Sequence, residues 1–158
     1  MKPFLFCAAI VLTSFGMLNS AHAESRPRAN DPLWQQECGS CHVPYPPRLL
    51  SAASWNTVMD GLGSHFGSDA SLDPASTKAI RRFLTSHAGT RTTERQGKAL
   101  LRITETPWFV HEHSEELPAG IWKSPAVKSA SNCSACHTQA AQGSFSEHEI
   151  RLPKGVSR

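Results

Sequence analysis

Past residue 23 the chain has no run of about 18 consecutive apolar residues, the length a membrane-spanning helix needs, so nothing beyond the first segment is expected to cross a bilayer. It also lacks a stripe of clustered lysine and arginine. Its basic residues are scattered, without the electrostatic footprint of a nucleic-acid-binding protein. No internal repeat is visible apart from one five-residue motif, so duplication of a single domain is not the plan of the chain. Cysteine is scarce, five in 158 residues. The two Cys-x-x-Cys pairs stand too far apart for a zinc ribbon: residues 42–132, 91 of them, lie between Cys41 and Cys133, where a ribbon has about 15–20.

What the chain does have is that motif. Cys38-Gly39-Ser40-Cys41-His42 and Cys133-Ser134-Ala135-Cys136-His137 each have the form of a covalent haem c attachment site. Two thiols about one helical turn apart can each add across a haem vinyl group, giving two thioether bonds. The adjoining imidazole then falls under the iron as its proximal ligand. A redox-active dithiol would leave His42 and His137 unexplained. Disulfides suit an exported chain with four mature cysteines, yet they need no histidine after each pair. Two covalently bound haem c groups are therefore expected, attached through Cys38, Cys41, Cys133 and Cys136, with His42 and His137 as proximal ligands.

Residues 1–23 read as an export signal, with Lys2 at the start, a mostly apolar stretch from Phe4 to Leu18, and Ala21-His22-Ala23 as the cleavage site. Cys7 belongs to that signal. The mature chain is expected to begin at Glu24 and to reside in the periplasm, in keeping with thioether formation outside the bacterial cytoplasm. Its 135 residues (24–158) make a small core, which two porphyrins would enlarge and cross-link. Without Lys2 there are 15 basic and 13 acidic residues, a formal +2. The haem propionates offset that balance, so it carries no argument for nucleic acid.

The expected fold is all-α, with residues 24–89 forming a haem 1 domain, 90–97 a polar linker and 98–158 a loop-rich haem 2 region. Within the first unit, an attachment helix should run from Trp34 through Cys41, stopped by Pro44, Pro46 and Pro47. A middle helix should start at Ser54 as N-cap, burying Trp55, Val58, Met59 and Leu62. A closing helix should start at Asp73 and Pro74, bury Ile80, Phe83 and Leu84, and end at Gly89. This order over residues 32–89 resembles a short class I cytochrome c domain. Further on, Pro107, Pro118 and Pro125 rule out one long helix across 104–126. Asn132 should cap a short helix carrying the second motif, closed by Gly143.

The sixth iron ligand decides between an electron carrier and an open, reactive site. For haem 1 the sequence favours His65, in the glycine-rich loop after the middle helix, with Met59 and His87 as alternatives. For haem 2 the candidates are His111, His113 and His148. The first two share a face in a strand but diverge in a helix, and Gly143 would let the tail bring His148 back.

Several segments together resemble the small periplasmic dihaem cytochrome c (DHC) family. They are Cys38-Gly-Ser-Cys-His-Val-Pro-Tyr-Pro-Pro, Ser54-Trp55, His65-Phe66-Gly67, Leu72-Asp73-Pro74, Ile103-Thr-Glu-Thr-Pro-Trp108, Glu112-His113, Trp122 and Val127-Lys128-Ser129. The resemblance implies a class I-like N-terminal haem domain, a less regular C-terminal haem region and two bis-histidine haems. Its Glu-His element corresponds to Glu112-His113, which favours His113 as the haem 2 ligand. It also implies electron transfer from a membrane cytochrome b-type donor to a soluble haem protein, such as an oxygen-binding monohaem cytochrome c. Bis-histidine ligation lacks the methionine that raises cytochrome c potentials, so both centres should be of low potential. The rival reading is a haem enzyme or gas-binding protein with one open iron, peroxidase-like or NO/O2-binding. It names no acid–base pair in this sequence, and dihaem peroxidases are much longer chains.

Overall fold

Three of the four helices among the described residues begin in the same way, with a capping side chain followed by proline, whose fixed φ suits the first helical position. The computed structural model describes residues 30–156 apart from 92, 116 and 119; the expected export signal and residues 24–29 of the expected haem 1 domain lie outside these. Helix α1 spans Pro32–Gly39, with the Asp31 carboxylate accepting from Trp34 N at 2.9 Å. Helix α3 spans Pro74–Ser86, with Asp73 accepting from Ala75 N and Ser76 N. Helix α4 spans Pro107–Ser114 behind Thr106. Helix α2, Ala52–Asp60, is capped by Ser51, whose hydroxyl accepts from Ser54 N at 3.1 Å.

Two boundaries differ from the sequence expectation. Helix α1 stops at Gly39 and does not reach Cys41, because Ser40 Oγ turns back onto the Glu37 carbonyl at 2.8 Å and satisfies the helix end. The α2 cap is Ser51 and not Ser54. These serines stand three apart, so the earlier one caps and the later one supplies the capped N–H.

The main core gathers Trp34, Leu50, Trp55, Val58, Met59, Ile80, Phe83 and Leu84 from α1, α2, α3 and the loop before α2. Trp34 packs on Phe83 with ring centroids 5.2 Å apart, and Trp55 Nε1 donates to the Pro47 carbonyl at 2.7 Å. The proline cluster is thereby fixed to α2. Gly89 lies three residues beyond α3 and does not end it. The glycine is needed for close approach: a Cβ there would fall 2.1 Å from the Arg48 carbonyl oxygen, while its N–H donates to Leu50 O at 2.8 Å. Gly89→Ala is expected to cost about 2–3 kcal/mol through overpacking, read as a lowered denaturant midpoint. A change within about 0.5 kcal/mol, the usual range for surface substitutions, would contradict that role.

Residues 90–97 carry more structure than a polar linker. Strand β1, Glu94–Arg95, pairs antiparallel with β2, Lys98–Ala99, across Gln96 and Gly97, both at positive φ as a tight hairpin requires. Thr93 is buried, its Oγ1 accepting from Ser51 N at 3.2 Å and sharing a hydrogen bond of 2.9 Å with Ser54 Oγ. The helix-rich fold thus includes a short hairpin tied to the start of α2.

Beyond α4 the chain proceeds through single 3₁₀ turns at Ile121–Lys123, Cys133–Ala135, Ala140–Gln142 and Glu147–Glu149. Asn132 does not cap a helix; its side chain donates to Val127 O at 3.0 Å, and the second motif occupies one 3₁₀ turn. Gly143, in the left-handed region at φ 75°, closes the next turn instead. The tail folds back beside the motif through Arg151 N to Cys136 O at 2.9 Å and a bridge between His137 and Ile150. No helix among the described residues is long and apolar enough to cross a membrane.

Candidate functional site: two histidine pairs

The fold brings four histidines together as two pairs. His42 lies in the turn that follows α1, just before the proline cluster, and meets His65, which is presented by the turn after α2. Their ring centroids are 6.3 Å apart, with planes inclined by 21°. His113, on the last turn of α4, meets His137 with centroids 6.2 Å apart and planes at 68°. A metal–imidazole nitrogen bond is about 2.0–2.1 Å, and the ligating nitrogen sits about 1.1 Å from its ring centre, so two imidazoles on opposite sides of one metal have centres about 6.3 Å apart. Both pairs have the spacing that two axial ligands of one iron require.

The tautomers suit that role. His42 Nδ1 lies 2.7 Å from Val43 O, and His113 Nδ1 lies 2.9 Å from Phe109 O. A carbonyl only accepts, so each Nδ1 carries the proton and leaves Nε2 with a free lone pair. His137 Nδ1 is buried without a hydrogen-bond partner. Burial lowers the pKa of His137, reinforced by His113. It also lowers that of His65, reinforced by His42 and Arg102. Both are thus biased to the neutral form that binds metal.

The cysteines fit the same group. Burial, helped by Glu37, pushes the Cys38 thiol up to about 11. Burial likewise raises Cys133 to about 11, with Cys136 adding to the rise and a backbone hydrogen bond opposing it, and it raises Cys136 as well. A reactive dithiol or a thiolate metal site needs the opposite shift, whereas a thioether sulfur carries no charge and is content when buried. The four cysteines form no disulfide, and no cluster of three or more metal-binding side chains occurs among the described residues. A porphyrin supplies four ligands of its own, so two imidazoles would suffice to complete an iron held there, without a third protein ligand.

The remaining candidates stand elsewhere. Met59 is buried in the main core. His87 caps α3, its Nδ1 donating to Phe83 O at 2.9 Å, and it lines a cleft of about 800 Å³ between the first unit and residues 141–146. His111 projects from α4 toward Glu115 at 3.3 Å, with both side chains about two-thirds exposed. His148 is exposed in the turn Glu147–Glu149.

Aromatic rings that the sequence reading gave no role wall in the pairs. Phe109 stacks on His113 at 4.0 Å, Trp122 lies 5.7 Å from it, Phe145 lies 5.3 Å from His137, and Tyr45 stacks on His42 at 4.6 Å. Trp122 and Tyr45 lie within segments that carry the family resemblance, while Phe109 and Phe145 carried no sequence signal.

The dihaem cytochrome c family matches residues 34–145, a span that contains both motifs and both histidine pairs. The chain belongs to the dihaem cytochrome c family. A solved structure of DHC purified from Rhodobacter sphaeroides is 42% identical, covering 73% of this chain and 97% of its own, with a TM-score of 0.64. A diheme cytochrome type c from Shewanella baltica OS155 is 36% identical over 81% of this chain and 95% of its own, with a TM-score of 0.67. Comparison with curated proteins yields no match. Membership of the dihaem cytochrome c family implies two haem groups and a role in electron transfer.

Proposed function

We propose that the chain is a periplasmic electron carrier, released from its export signal before Glu24, in which each of two haem c groups is held between two histidines. Cys38 and Cys41 attach the first, with His42 and His65 as its axial ligands. Cys133 and Cys136 attach the second, with His137 and His113. Residues 24–89 form the class I-like unit and 98–158 the haem 2 region, joined through the 90–97 segment. The observation that carries the reading is the ring separation of 6.3 and 6.2 Å in two independent histidine pairs, each next to its own Cys-x-x-Cys.

Bound haem supplies a one-electron iron couple. The protein's part would be to hold each iron between two imidazoles, His42 with His65 and His113 with His137, so that no coordination position is offered to a substrate. Val43 O and Phe109 O hold the protons of His42 and His113 and fix how those rings present Nε2. We therefore do not adopt the reading of an open-iron enzyme or gas-binding protein. The donor on this account is a membrane, quinol-linked cytochrome b-type protein. The acceptor is a soluble haem protein such as an oxygen-binding monohaem cytochrome c, engaged through a small, transient interface.

A potentiometric titration of the visible spectrum tests the reading. Two one-electron couples are expected, both low, because neither iron has the methionine that raises cytochrome c potentials. One strongly positive couple would contradict bis-histidine ligation at that site.

A further inference from the structure

Tyr45 is the only tyrosine of the chain, and it touches both sites. Its ring lies nearly parallel to the His42 imidazole, with centroids 4.6 Å apart and planes at 18°. Its hydroxyl donates to the carbonyl of Ser131 at 2.9 Å, 86 residues further along the chain. Ser131 stands two residues before Cys133, whose sulfur lies 3.7 Å from the same carbonyl. One carbonyl oxygen therefore faces both the tyrosine hydroxyl and the attachment sulfur of the second motif.

The loop that presents this carbonyl is internally fixed. Val127 is buried, and the N–H groups of Val127 and Lys128 both donate to Ser124 O. Lys128 takes a left-handed conformation at φ 69°. Asn132 ties back to Val127 O, while Ser131 N donates to Ser129 Oγ at 3.2 Å. A phenol keeps its proton throughout the neutral range, so the hydroxyl keeps its donor role toward Ser131 O. Next to it, Pro44 and Pro46 line the cleft that separates the two halves, so Tyr45 makes a direct connection where its neighbours face open space.

We propose that Tyr45 couples the two haem sites, joining the proximal imidazole of one to the attachment cysteine of the other and fixing the path by which they exchange an electron. The route runs from the His42 ring, through the stacked phenol and its hydrogen bond, to the Ser131 carbonyl and the Cys133 sulfur. In each exchange one iron goes from ferrous to ferric and the other from ferric to ferrous. Tyr45 keeps its proton and its electrons and is never itself oxidised. It is a positioning residue, and the inference rests on reading both motifs as haem sites.

The test compares the wild-type holoprotein with Tyr45→Phe, which keeps the stacked ring and removes the hydrogen bond. Haem content and the low-spin spectrum are checked first, because fewer than two haems in the wild type would defeat the haem reading itself. The half-reduced proteins are then followed by exchange spectroscopy of the haem methyl resonances. Tyr45→Phe is expected to retain both haems and both potentials while exchange between the sites slows several-fold. Unchanged exchange in a fully loaded Tyr45→Phe protein would overturn the proposal. Should that variant fail to take up haem, Ser129→Ala loosens the loop from the other side and is expected to slow exchange in the same sense. Unaltered exchange there would overturn it equally.

Discussion

Replacing His65 by alanine is expected to turn a reduced protein that ignores carbon monoxide into one in which about half of the haem absorbance shifts when the gas is added. The ring of His65 lies 6.3 Å from that of His42. Removing it should leave one iron with an open position, while the His113–His137 pair should stay closed. His113→Ala should expose the other half, and the double variant both. Alanine at His87, His111 or His148 should change nothing in this assay. His87 is bonded to Phe83 O, His111 lies beside Glu115, and His148 is exposed on its turn. Met59→Leu should likewise leave both sites closed, because Met59 is packed in the core with Trp55 and Ile80. A His65→Ala protein that stayed inert, with Met59→Leu or His87→Ala opening an iron instead, would reassign the ligand of the first site.

The second large effect concerns how the two sites differ. An imidazole donates its π electrons mainly into the iron d orbital that projects across its plane. Nearly parallel rings therefore separate the two relevant d orbitals, whereas crossed rings raise both and leave them close in energy. The planes meet at 21° in the first pair and 68° in the second. The oxidised protein should accordingly give two low-spin electron paramagnetic resonance signals of equal weight. The first should be rhombic, from the site of His42 and His65. The second should be broad and strongly anisotropic, from the site of His113 and His137. The second geometry is held by the His113 Nδ1 hydrogen bond to Phe109 O and by the Phe109 ring stacked at 4.0 Å. Phe109→Leu keeps the carbonyl and removes the stack, so it should move the anisotropic signal and leave the rhombic one in place. Two identical rhombic signals in the wild type would contradict the difference between the sites.

Much of this was legible in the sequence because it rests on local chemistry. A thiol pair followed by histidine announces its function at five residues' length. Asp73-Pro74 announces a helix start, and the Asp73 carboxylate does cap α3. Other features depended on geometry that a linear reading does not contain. The spacing of His111 and His113 left their choice open. Helix phase sends one toward Glu115 and the other toward His137. Ser54 was expected to cap α2, but the cap is Ser51, where the backbone is extended and the side chain accepts from Ser54 N. Gly89 looked like a helix terminator, yet its necessity comes from Arg48, some forty residues earlier in the chain. The 90–97 segment read as a linker because Gln96-Gly97 is a weaker hairpin signal than Asn-Gly. Burial of Thr93 against Ser51 and Ser54 is a long-range contact. The second motif needs no helix, since one 3₁₀ turn tied to the returning tail places its histidine.

The most direct test of the whole account is the absorption spectrum of the reduced wild-type protein before and after carbon monoxide. The account expects no change, because His65 and His113 leave neither iron with an open position. A shift in about half of the haem absorbance would mean that one iron is open or readily opened, and would contradict the reading of this dihaem cytochrome c as a carrier with both sites closed.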